Sequence, residues 1–252
     1  MTFSRMLVLA AITQRQLAAV ISRLRDRFPP KSCRGRPWHA SLRRRVLIAC
    51  AALRTNLTIR EIAASFEISK SMVHRIVATL TPRLAALFAE TRPRDRRESW
   101  VVDGTLIPTR DHQSAARSKN YRWSCNAQIL VRRRDLKIVA VSGGGPGNRN
   151  DPIHYRGSVI EALCQHHGGV LADGGYRGVP ELVTPRFRSN RIVRDRLWRR
   201  HRRRRARVEH AIARLKTWRV LRDHRRRGCH LTETLQAVSF LHNLSIDLRD
   251  NP

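Results

Sequence analysis

Acidic residues are scarce in this chain. Across 252 residues, 19 Asp and Glu stand against 51 Lys and Arg, a formal net charge of +32. Such a balance implies a polyanionic partner, and nucleic acid leads because released counterions drive its binding. Cysteine is sparse as well. The five, at positions 33, 50, 125, 164 and 229, are odd in number and include no C-x2-C pair, which argues against a zinc ribbon or a disulfide framework. No run approaches the ~20 apolar residues of a membrane span. MLVLAAI near the start resembles a signal segment, but ITQRQL follows without a convincing cleavage site. The expectation is a cytoplasmic protein with no membrane partner. With only 13 Gly and 11 Pro and a hydrophobic content of 41%, the chain is expected to fold rather than to form a basic tail.

Apolar periodicity predicts an all-α region over residues 1–92 and a mixed α/β region over 98–252. A first helix is expected from Ser4 to Phe28, stopped by Pro29 and Pro30, then a basic arm CRGRPW, then a helix from Leu42 to Arg54. The segment 57–80 is more specific. Thr58 with Glu61 forms a capping box, Ile59, Ile62, Ala63 and Phe66 make one apolar stripe, and Ser69 can cap a second helix. Pro82 is expected to end that helix or begin the next. Two short helices about a brief turn suit a helix-turn-helix, with Ser69, Lys70, Ser71, His74 and Arg75 presented to a major groove. A plain helical hairpin is the alternative.

From Trp100 the pattern turns to strands: WVVDGTLIPT, CNAQILVRRR and LKIVAVSGGGPG, then a helix in HYRGSVIEALCQHH and a short buried strand in GVLADGGY. Another strand is expected near RFRSNRIVR, with closing helices from Trp198 to Leu221 and Leu231 to Leu248.

Three of the few acids fall where a basic protein has little reason to put them. Asp103 follows Val101–Val102, Asp173 follows Val170–Leu171–Ala172 and precedes Gly174–Gly175, and Glu209 lies among cations on a helix. Hard divalent cations want oxygen ligands, so carboxylates on neighbouring rigid elements suit a metal site over a phosphate backbone. Arg205, Glu209 and Lys216 follow R-x3-E-x6-K and fall on one helical face. Taken singly, each acid is easier to explain as a turn or an ion pair. Asp151 in NRND is a candidate fourth carboxylate, although a turn residue holding its loop is the simpler reading.

Together VVDGT, LADGGYRG, RARVEHAIARLKTWRVLRD, the linker GGGPGNRNDP and the closing FLHNL resemble the DDE transposases of bacterial insertion sequences, in the group related to Harbinger-type nucleases. The resemblance implies an RNase H-like catalytic domain behind a helix-turn-helix domain. It implies Asp103, Asp173 and Glu209 as catalytic ligands of two Mg2+ ions, with Mn2+ as a substitute, and Arg205 and Lys216 on DNA phosphates. It further implies double-stranded DNA partners, namely terminal inverted repeats and target DNA, and a homodimer or larger assembly. Arg202 stands where the group commonly carries a tyrosine. A catalytically inactive DNA-binding relative, acting as a repressor, is the alternative reading.

Overall fold

A computed structural model describes residues 1–29, 38–91, 98–118 and 122–250. The basic arm, apart from Trp38, lies outside the described residues. By contacts the chain divides into two units. The first comprises Met1–Thr91, Thr217–Val220 and Glu233–Pro252; the second comprises Arg92–Lys216 and Leu221–Thr232.

The first unit is helical: α1 (Phe3–Ala10), α2 (Gln14–Arg27), α3 (Leu42–Thr55), α4 (Ile59–Ser65), α5 (Lys70–Ala86) and α6 (Phe88–Thr91). The single helix expected from Ser4 to Phe28 is two. Ala11 takes a left-handed conformation, and Thr13 with Gln16 forms a capping box that starts α2 afresh. Helix α5 runs through Pro82 instead of stopping there. Proline leaves the Ala78 carbonyl without its helical N–H, but this costs one bond in a helix whose Val73, Ile76, Leu80 and Leu84 are buried. Most of α10 (Leu231–Asp250) also belongs here. Val238, Phe240, Leu241 and Leu244 are buried among a ring of other buried residues, so this helix demands apolar cover on most sides. That places Glu233–Pro252 by contact with the first unit, where the sequence pattern had kept 98–252 whole. No single helix among the described residues is long and apolar enough to cross a membrane.

The second unit is built on a mixed sheet of β1 (Trp100–Pro108), β2 (Ala116–Arg117), β3 (Trp123–Arg132), β4 (Ile138–Pro146), β5 (Val170–Leu171) and β6 (Leu182–Val183). Its order is β2-β3-β1-β5-β6, with β4 also paired to β3. β1, β3 and β4 are antiparallel in sequence, whereas β5 joins β1 in parallel and β6 joins β5 in parallel. An antiparallel meander continued by parallel strands on the first strand's free edge is the RNase H-like arrangement that the resemblance implies. The helix expected over HYRGSVIEALCQHH is split into α7 (Asp151–Tyr155) and α8 (Val159–Gln165) around Gly157, which takes a positive φ of 72°. The strand expected near RFRSNRIVR is a hairpin, β7 (Phe187–Arg188) and β8 (Arg191–Ile192). Helix α9 (Arg196–Leu215) ends six residues short of its expected limit at Leu221. Val102, Leu130, Tyr155, Ile160, Val170 and Tyr176 pack into one core beneath the sheet.

Candidate acidic centre and nucleic-acid interface

Asp103 sits in the middle of β1, opposite Ile129 of β3, and not at the strand end. β5 runs parallel beside it with Leu171 opposite Val101. β5 ends at Leu171, and two residues further the chain reaches Asp173, level by register with Asp103. There Asp173 caps the turn Gly174–Tyr176, its Oδ1 accepting the Gly175 N–H at 2.8 Å. Pairing along β1 thus brings two acids from 70 residues apart to neighbouring positions, one within β1 and one just past the end of β5 (173 − 103 = 70).

Burial pushes the Asp103 carboxyl up to about 6, against the pull of the Arg205 guanidinium and with the repulsion of Asp173 and Asp151. A carboxylate raised by burial and by like charges has a deficit of positive charge around it. Arg205 on α9 supplies part of it. Its Nη1 donates to Asp103 Oδ2 at 2.9 Å and its Nη2 donates to Glu209 Oε1 one helical turn on. One guanidinium therefore joins two of the three predicted acids. The Glu209 side chain is 55% exposed against 16% for Asp103, so the Glu209 pair contributes little and the Asp103 pair more. With Arg205 between them, no three carboxylate, imidazole or thiol groups among the described residues stand close enough to enclose an ion. The donor set itself is all oxygen, which suits a hard divalent cation.

Lys216 is engaged within the chain. It caps the end of α9, and its Nζ donates to the Leu106 carbonyl at 3.1 Å. Burial, and then the charge of Arg222, lower its pKa. Its observed partner is the backbone of β1, so together with Arg205 it pins α9 to that strand.

A larger group of cations lies elsewhere on α9. Arg133 and six arginines of the helix line a groove of about 940 Å3. Arg202 points back to Trp198, its guanidinium carbon 5.5 Å from the ring. An aromatic side chain thus stands one turn before the position where the resemblance expects a tyrosine. The interleaving of Trp198 with arginine was the available signal for it.

Asp151, for which the sequence allows a fourth carboxylate or a turn, also stands at the centre. Asn126 and Gln128 of β3 both donate to its Oδ1, at 2.7 Å and 3.0 Å. Gly104, directly after Asp103, was the signal that something approaches β1 closely there.

In the helical unit, α4 and α5 form the expected pair. Thr58 and Glu61 bond reciprocally, and Ser69 Oγ accepts the Met72 N–H at 3.2 Å. Ser69, Lys70, Ser71, His74 and Arg75 are all exposed at the start of α5. Arg75 lies 4.1 Å from the centre of the Trp38 ring, which Arg45 covers at 4.7 Å, so Arg75 is partly engaged and Ser69 serves as the cap, while Lys70, Ser71 and His74 are open.

Residues 102–243 match the family described as DDE superfamily endonuclease, and residues 45–83 match the IclR helix-turn-helix domain. A protein of Streptomyces albus G whose name assigns it as a transposase for insertion sequence element IS112 is 38% identical over 245 residues, covering 94% of this chain and 93% of the relative. Two solved structures, a pre-cleavage Mos1 transpososome and a Mos1 mariner paired end complex with Mn, align at 12% and 13% identity. They cover 98% and 96% of this chain and 92% and 90% of theirs, with TM-scores of 0.24 and 0.23, a likeness too low to carry any argument here.

Proposed function

The chain belongs to the DDE superfamily endonucleases, and from that premise we propose that it is the transposase of an insertion sequence, binding that element's terminal inverted repeats and cutting and joining its ends. The observation that carries the reading is Asp103 within β1 and Asp173 just past the end of the parallel neighbour β5, with Glu209 linked to Asp103 through Arg205. Mg2+ ions held by Asp103, Asp173 and Glu209, with Mn2+ as a substitute, would supply a water or 3′-hydroxyl activated in line with phosphorus and a stabilised leaving oxygen.

The chain's own groups do the rest. Asp103 comes from the sheet and Asp173 from the capped turn that directly follows β5, so the two hold their relative position. Glu209 comes from the exposed face of α9 and can adjust. Arg205 cannot serve both the carboxylates and a phosphate, so its guanidinium turns to the scissile phosphate once those acids are otherwise occupied. Lys216 reaches a phosphate only by giving up Leu106. The arginine groove of α9 takes the sugar–phosphate backbone, where charge matters more than sequence. Lys70, Ser71 and His74 read the ends from the start of α5. Two ends must meet for strand transfer, so the active assembly holds at least two copies.

The test is cleavage of a duplex carrying the element's own ends in Mg2+ or Mn2+, followed by joining to a second duplex. Asp173→Asn should bind the ends and leave them uncut; undiminished cutting by that variant overturns the assignment. Binding without cutting by the unaltered chain would favour the inactive relative.

A further inference from the structure

Asp151 opens a helix of only five residues, and its side chain makes no cap for that helix. Its partners are on β3, more than twenty positions away, and both donate to the same oxygen, Oδ1. Gln128, one of them, is 1% exposed, and its Oε1 accepts the hydroxyl of the fully buried Tyr176. Tyr176 in turn closes the turn that Asp173 caps. A chain of buried side chains therefore ties the place of Asp151 to the place of Asp173.

Gly104 makes the room. A Cβ at that position would overlap the Asp151 carboxylate and come within 2.8 Å of Gln128 Nε2. Gly104 has no positive φ, so the glycine serves close approach and not an unusual backbone. Among the described residues, Asp151 Oδ2 accepts no hydrogen bond.

A residue that only held the loop would not need its charge. An asparagine oxygen would accept the same two bonds, whereas another carboxylate packed against Gly104, beside Asp103, adds repulsion. Such repulsion becomes an advantage where a divalent cation is held. Resting on the function proposed above, we infer that Asp151 is a fourth acid of the centre, one that helps hold a divalent cation, with Gly104 and Gln128 as its positioning residues.

Mn2+ titration of the full-length chain, followed by electron paramagnetic resonance of the free ion, tests this without measuring activity. Asp103→Asn calibrates the centre, and Asp151→Asn keeps the shape and the accepting oxygen. Asp151→Asn should weaken Mn2+ binding by roughly tenfold or more, as Asp103→Asn does. If Asp103→Asn weakens binding and Asp151→Asn stays within about twofold of the unaltered chain, the fourth acid is overturned and the three-acid reading stands. If Asp103→Asn itself leaves Mn2+ binding unchanged, the three-acid reading falls, and this inference falls with it. Gly104→Ala, which displaces the Asp151 carboxylate without removing it, is the second variant. Normal Mn2+ affinity in Gly104→Ala would equally overturn the role of Asp151, and a loss would support it.

Discussion

The helical unit and the sheet around the acids place their polar groups in opposite ways. Thr13, Thr58 and Ser69 each accept an N–H three residues ahead, and each such cap stabilises its helix by about 1 kcal/mol. At the acidic centre the partners are remote: Arg205 lies 102 positions from Asp103, and Asn126 lies 25 from Asp151. There, carboxylates stand beside one another in a partly buried place, and burial holds Asp103 above the usual carboxylate range. The first arrangement stabilises the fold; the second costs stability and makes sense only through what it binds. Stability and function are thus divided between the two regions.

The sharpest separation comes from Asp173→Asn. End cleavage should fall by roughly 1000-fold or more, while end binding in a gel shift stays within about twofold, because the helix-turn-helix is untouched. A parallel loss of binding would break the division.

Next is Asp103→Asn in metal-free buffer. Asp103 titrates at about 6 in the folded chain against an ordinary 3.8. The folded state thus prefers the protonated acid. Stability from this group is fully present below pH 3.8 and is lost as pH rises through about 6. Asparagine does not suffer that loss, so the variant should be the more stable protein at pH 8, by at most about 3 kcal/mol, with the gap closing towards pH 4. Thermal melts in EDTA across that range measure it; a destabilised variant at pH 8 would contradict the electrostatic account.

A smaller effect is expected in the other region. Lys70→Ala with His74→Ala should weaken end binding roughly tenfold and lower the salt dependence by about one ion, with Mn2+ binding unaltered. The smallest is Thr58→Ala, which removes the cap of α4 and should destabilise by about 1 kcal/mol in a denaturant melt, without touching cleavage by the folded fraction.

Much of the fold was legible because its signals close within a few residues. The Thr58–Glu61 box, the Ser69 cap and the apolar stripes of α3, α4 and α5 each appear where the pattern put them. The strands β1, β3 and β4 were legible from their apolar runs. The break after Ala10 was missed although Thr13 and Gln16 carry the same kind of box, because the apolar period continues on both sides of it. Pro82 misled for the converse reason: a strong local breaker is overridden when the flanking turns are already buried.

At the acidic centre, Asp103, Asp173, Glu209 and Arg205 stood out as candidates in the sequence only when taken together and with the family resemblance that they carry. Their partners did not. That Arg205 bridges Asp103 and Glu209, that Lys216 bonds the backbone at Leu106, and that Asp151 arrives over Gly104 all depend on strand register and on how α7 and α9 lie across β1. A cap closes a loop of three residues and needs only local dihedral angles. A contact across more than twenty positions exists only once the sheet order is set, and the sheet order is the property that no short stretch of this sequence encodes.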